Sequence, residues 1–282
     1  MATPKAPRSL RIMLLHGFTQ SGPLFYAKTR ALEKNLKKAF PAPTYNLDLV
    51  YPTGPIRARP VDMPDSFSKK DADGAEDSES YAWWLRKGDA EPFRYEGIEK
   101  GMERIAEVIR AQGPFDGVIG FSQGGAAAGM VASLLEPGRR DAFADAQNRG
   151  GMPYPPSFEQ DCGMVEEAVQ PPMKFSVSYS GFGATTNALY TAFYEPKIKT
   201  PMLHFLGSVD TVVEEARSLR LVDSCEEGRG EDGRRVVYHP GGHFLPSSQK
   251  EYVAALVGFI RETMGWNEIK QSEEDKELDM PF

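Results

Sequence analysis

Cysteine is scarce in this chain: two residues in 282, Cys162 and Cys225, each in polar, loop-like sequence with no motif around it. That excludes a disulfide framework, and two scattered cysteines suit a reducing compartment. Neither has the basic or metal-binding surroundings that lower a thiol pKa, so a catalytic cysteine is not expected. No apolar run approaches the roughly 20 residues needed to span a bilayer. The opening MATPKAPRSLRIMLL lacks the long apolar stretch and small-residue cleavage site of a secretory signal. No N-x-Ser/Thr sequon is present. Basic patches are missing too: the net charge is −7, and the tail from Asn267 to Phe282 supplies −4 of it. These absences argue against nucleic-acid and membrane partners and point to the cytoplasm. There is no internal repeat and no Walker A loop. Gly181-Phe182-Gly183 lacks the third glycine of a dinucleotide fingerprint.

What is present is an alternation of short apolar runs with helix-period segments. Strands are expected at Arg11–Leu15, Asn46–Tyr51, Phe115–Phe121, Lys174–Ser180, Pro201–Gly207 and Arg234–His239. Helices are expected at Pro23–Lys38, Arg94–Gln112, Gln123–Leu135, Val212–Val222 and Ser247–Thr263. That order predicts βαβ units: an α/β fold with a mostly parallel six-stranded sheet and helices on both faces. One domain over residues 9–264 is expected, with a flexible stretch at 1–8 and an acidic, disordered tail at 265–282. Three stretches break the alternation: Thr53–Ser80, Glu136–Pro172 and Glu226–Gly233. Loops of that length are functional or disordered. The second reads as a candidate lid, with Tyr154 and Phe158 placed to cover an acyl chain.

Gly120-Phe121-Ser122-Gln123-Gly124 is a G-x-S-x-G element between a β-rich run and a Gly/Ala-rich run. Such a strand–turn–helix strains the serine backbone and lifts its Oγ above the sheet. The competing reading is a Gly-rich turn with an incidental serine. A serine hydroxyl needs a base beside it. His243, in Pro240-Gly241-Gly242-His243, follows the last strand and shares the carboxyl edge with Ser122, where sites in open α/β sheets gather. His204, inside an apolar strand, and His239, at a strand end, read as structural. His239 and His243 are four apart, but the Pro-Gly-Gly between them forbids a helical metal pair, so no metal and no cofactor is expected. Asp210, after the strand Pro201–Leu206, is the candidate acid. It also reads as a helix N-cap, and Glu214 and Glu215 are fallback acids. The backbone amides of Gln123 and Phe18 are the expected oxyanion donors, with His16 bracing the second. Trp83, Trp84, Phe182, Phe244 and Leu245 are candidate pocket residues.

The chain order Ser122, Asp210, His243 is that of α/β-hydrolases. LLHGFTQSG, YAWWLR, GPFDGVIGFSQGGAAA, FSVSYSGF, PMLHFLGSVDTVV and VVYHPGGHFLP follow one another as in the FSH family of serine hydrolases. The resemblance spans roughly residues 9–263 outside the long loops. It implies the Ser122–Asp210–His243 triad and esterase activity on carboxylic esters. Some members of that family are thioesterases that release product from a carrier-bound synthase, which makes a carrier protein a candidate partner. A hydrolase fold used only for binding is the alternative from another class.

Overall fold

The computed structural model describes residues 6–59, 80–160, 168–226 and 235–266. Its central sheet is six-stranded and wholly parallel. The strands are β1 (Arg8–Leu15), β2 (Tyr45–Val50), β7 (Gly117–Phe121), β8 (Phe175–Tyr179), β9 (Met202–Gly207) and β10 (Val236–His239), in the order β10-β9-β8-β7-β1-β2. The chain steps outward from β1 to β2, then returns across β1 to β7 and continues the other way. The order therefore reverses between β1 and β7, and their carboxyl ends flank the crevice where α/β sheets carry ligands.

Alternating side chains along the strands feed two cores. On one face Leu10, Ile12, Leu14 and Ile119 meet α1 (Gly22–Lys28), α2 (Arg30–Ala39) and α7 (Lys250–Thr263) through Phe25, Leu36 and Phe259. On the other, Met13, Leu15 and Val118 meet α3 (Ile98–Gln112), α4 (Gln123–Leu134) and α6 (Glu215–Asp223). Every residue of α4 is buried, which is why its sequence is small and apolar rather than amphipathic.

Several boundaries differ from expectation. Pro23–Lys38 is two helices, because Thr29 leaves helical geometry (φ −103°, ψ 12°) and turns its hydroxyl back onto the Phe25 carbonyl at 2.7 Å. Residues 94–96 are not helical. They form β6 (Arg94–Glu96), paired with β5 (Leu85–Lys87), and Gly97 at φ 79° turns the chain into α3. A second small pair, β3 (Ile56–Arg57) with β4 (Tyr81–Ala82), joins segments distant in sequence, which no local period announces. Most of Thr53–Ser80 (60–79) and of Glu226–Gly233 (227–233), with Cys162 and the tail from residue 267, lie outside the described residues.

The Glu136–Pro172 insertion is structured where it is described. It holds α5 (Arg139–Gln147) and a 3-10 turn at Pro156–Phe158. Phe143 and Phe158 are fully buried, and the Tyr154 hydroxyl donates to the Leu134 carbonyl at 2.8 Å. Leu134 ends α4, and Ser122 precedes its start, about 18 Å away along the axis. Tyr154 and Phe158 are thus core residues at the far end of the helix, not covers for a bound chain, which corrects the lid expectation for the described part of the insertion. Glu136 and Arg139 pin this region. Their ion pair (2.8 Å) is almost wholly buried, and Glu136 also accepts from the Lys199 and Thr200 amides at 2.7 Å.

Candidate active site

Ser122 stands between β7 and α4 with φ 53° and ψ −116°. A left-handed backbone at a non-glycine residue costs about 1–3 kcal/mol and persists only where packing over-determines it. Here the packing is explicit. A Cβ on Gly120 would lie 1.9 Å from the Gly124 carbonyl oxygen, and one on Gly124 would lie 2.1 Å from that of Leu15. Glycines at both places let strand and helix meet at this angle. The Ser122 amide donates to the Tyr179 carbonyl at 2.8 Å, tying the turn to β8. The other non-glycine residues with positive φ among those described are Thr19 (67°) and Ser180 (48°). Both sit in connections leaving the carboxyl ends of β1 and β8, so backbone strain is concentrated at the edge that carries Ser122.

His243 and Asp210 meet at the same edge. Nδ1 of His243 donates to Oδ2 of Asp210 at 2.8 Å. The imidazole ring lies 4.9 Å from the ring of Phe121, the residue before Ser122. With Nδ1 committed to a carboxylate, Nε2 is the nitrogen left to act as a base. Asp210 also fills its other expected role. Its Oδ1 accepts from the Val212 and Val213 amides at 2.9 and 3.0 Å, so one carboxylate orients the histidine and closes the turn before α6. That turn uses the residues expected to begin the helix, which starts only at Glu215. Burial pushes the Asp210 carboxyl up, but the His243 and amide hydrogen bonds outweigh it and hold it below the ordinary carboxylate value. Neither fallback acid takes this place: Glu214 stands at the N-cap position of α6 with no side-chain capping bond, and Glu215 accepts from the Tyr238 hydroxyl.

The loop after β1 is braced from three sides. Nδ1 of the buried His16 donates to the Gly17 carbonyl at 2.7 Å, and Nε2 accepts from the Gly54 amide at 2.9 Å. The bond that Nε2 accepts needs a neutral ring, and burial pushes its pKa down to about 4. The Trp83 indole N–H donates to the His16 carbonyl at 2.9 Å. Gln123 completes the frame. Its side chain accepts from the Trp83 amide and donates to the Trp84 carbonyl, both at 2.8 Å. The amide-clamping role of the Gln123 side chain went unread in the sequence, although the residue stands inside the G-x-S-x-G element. The Gln123 backbone N–H opens α4, where helix N–H groups have no intrahelical partner.

The five candidate pocket residues divide. Trp83 and Trp84 are 0 and 1% exposed, the second stacked on Tyr95 at 5.1 Å. They are braces with no surface to offer a ligand, contrary to the pocket assignment. Phe182 is buried against Tyr95, and Leu245 packs into the core beneath α7. Phe244 is 41% exposed next to His243, and Val209 (63%) and Val212 (37%) flank Asp210, so exposed apolar side chains border the bonded His243–Asp210 pair. His204 is buried in β9 with its pKa pushed down to about 3, and Cys225 beside it is pushed up to about 12, which makes both chemically inert. His239, also buried, accepts from the Gly241 amide at 3.3 Å and so supports the turn that presents His243.

A parallel, doubly wound sheet with a strained serine at the switch point and a His–Asp pair on the adjoining loops defines an α/β-hydrolase. The chain belongs to the FSH1 family of serine hydrolases, whose model matches residues 5–255. It is 31% identical to "Family of serine hydrolases 3" of Saccharomyces cerevisiae, over 89% of this chain and 83% of that one. It is 28% identical to "Esterase OVCA2" of Danio rerio, over 85 and 91%. It is also 33% identical, over 90% of its length, to a "Dihydrofolate reductase" of Schizosaccharomyces pombe, of which it spans only 47%. Among solved structures, the acyl-protein thioesterase 2 of Zea mays shares the fold, with a TM-score of 0.51 at 19% identity over 92 and 97% of the chains. The protein is a serine hydrolase by family. No helix among the described residues is long and apolar enough to cross a membrane.

Proposed function

We propose that the protein cleaves carboxylic esters through an acyl-enzyme formed on Ser122, with His243 as general base and acid and Asp210 as its orienting carboxylate. The observation that carries this reading is the strained Ser122 turn, whose preceding Phe121 ring lies 4.9 Å from a His243 ring already bonded through Nδ1 to Asp210. Nε2 of His243 takes the Oγ proton as Oγ attacks the carbonyl carbon. The Gln123 and Phe18 amides receive the oxyanion, worth about 10²–10³ in kcat per donor in sites of this kind. The proton passes to the departing alkoxide or thiolate. Water then attacks the acyl-enzyme, His243 takes its proton and returns it to Oγ, and the acid leaves. The exposed apolar side chains of Val209, Val212 and Phe244 favour short- to medium-chain or otherwise hydrophobic acyl groups.

A fluorophosphonate probe tests the proposal. Wild type is expected to label at Ser122, located by mass spectrometry, and to hydrolyse p-nitrophenyl esters; Ser122→Ala is expected to do neither. A folded wild type that neither labels nor turns over ester would make the fold a binding module instead.

A further inference from the structure

Cationic side chains gather around Phe93 and Phe182, and the reaction itself does not use them. Arg217, on the first turn of α6, places its guanidinium 4.4 Å from the Phe182 ring centre and 5.5 Å from that of Phe93. Arg86, on β5, stands 4.5 Å from the same Phe93 ring. Arg220 pairs with Glu91 at 2.5 Å, while Arg217 Nε approaches Glu91 at 3.4 Å and makes no hydrogen bond. Arg86 forms no ion pair among the described residues. The nearby Lys87–Glu96 pair (3.4 Å) cancels itself. Arg217 and Arg220 therefore share one carboxylate, and Arg86 stands across the Phe93 ring from Arg217 with none, in a chain whose net charge is −7.

The cluster is tied to the nucleophile from two directions. The Gly183 amide donates to the Arg217 carbonyl at 3.1 Å, and the Ser218 hydroxyl donates to the Gly181 carbonyl at 2.7 Å. Gly181 in turn abuts the first turn of α4: a Cβ on Gly125 would lie 3.0 Å from its Cα. From the other side, Arg86 is two residues beyond Trp84, whose carbonyl is held by the Gln123 side chain. Guanidiniums near one another with too few carboxylates repel, and Arg86 has its charged form disfavoured by burial first and by Arg217 second. A bound anion offsets that repulsion, and the planar donor fork of arginine matches carboxylate and phosphate.

We propose that Arg86 and Arg217 form an anion-recognition subsite on the Ser122 side of the sheet, so that the preferred substrates are esters or thioesters bearing a carboxylate or phosphate on the part that reaches these two guanidiniums. This rests on the serine-hydrolase mechanism proposed above. Two substrate pairs distinguish the sources of the anion. One compares an ω-carboxyacyl p-nitrophenyl ester with the neutral acyl ester of equal length. The other compares an acyl-coenzyme A with the same acyl group on N-acetylcysteamine. In at least one pair, wild type should favour the anionic member about tenfold in kcat/KM, the scale of a charge-assisted hydrogen bond. Arg86→Ala and Arg217→Met should each collapse that ratio, and so should raising the salt concentration. Because each ratio is taken within one protein preparation, loss of folded material cancels. Ratios near one in both pairs, or ratios that the variants and salt leave alone, overturn the subsite; if Ser122 still labels, the mechanism survives. A wild type that neither labels nor hydrolyses any of the four substrates removes both.

Discussion

Asp210 shows how one side chain serves two demands at the residue scale. Its two oxygens divide between the His243 ring and the turn before α6. Asp210→Asn keeps the size and one acceptor but favours the wrong imidazole tautomer. It should lower kcat by about 10⁴ with little change in KM, read from steady-state kinetics on a p-nitrophenyl ester. His16 makes a different prediction. Its folded pKa of about 4 lies below the ordinary 6.5, so between those values the unfolded chain binds more protons and stability rises with pH. The stabilisation is complete above pH 6.5 and is lost as pH falls toward 4. By pH 5, His16 should have forfeited about 2 kcal/mol, and His204 acts with the same sign. Urea unfolding at pH 7 and pH 5 measures the difference. Equal stabilities at the two values would show that these rings are not held neutral.

At the scale of elements, the junction of α4, α5 and the approach to β9 hangs on one buried ion pair. Glu136→Ala leaves Arg139 charged and buried, with its Nε already unpartnered, and should cost about 3–5 kcal/mol in urea unfolding. A loss under 1 kcal/mol would mean that water reaches the arginine. The elements themselves were unequally visible in the sequence. All six central strands and α4 could be read, because buried parallel strands are short apolar runs and a buried helix against a sheet must be small. The break at Thr29 could not, since a hydroxyl returning to the Phe25 carbonyl leaves the apolar spacing unchanged. The β5–β6 pair was hidden for the opposite reason: Arg94-Tyr95-Glu96 extends the helical period of α3, and only pairing with Leu85–Lys87 overrides it.

Across the whole molecule, the carboxyl edge holds the strain and the chemistry, while the described part of the Glu136–Pro172 insertion is packed at the opposite end of α4. Tyr154→Phe should therefore cost about 1 kcal/mol for the lost bond to Leu134 and leave the acyl-chain-length profile unaltered. A shifted profile across a C2–C12 ester series would put the insertion back over the site. The sequence by itself determined the alternation of strands and helices, the Ser122 turn and the carboxyl-edge positions of Asp210 and His243, because these depend on local period and on glycines at fixed offsets. Only the tertiary structure decided that Trp83 and Trp84 are braces, that Gln123 clamps them, and that Arg86 and Arg217 converge on Phe93. Those facts depend on which distant segments pack together, and an aromatic or charged side chain reads the same along the chain whether it lines a cleft or closes a core.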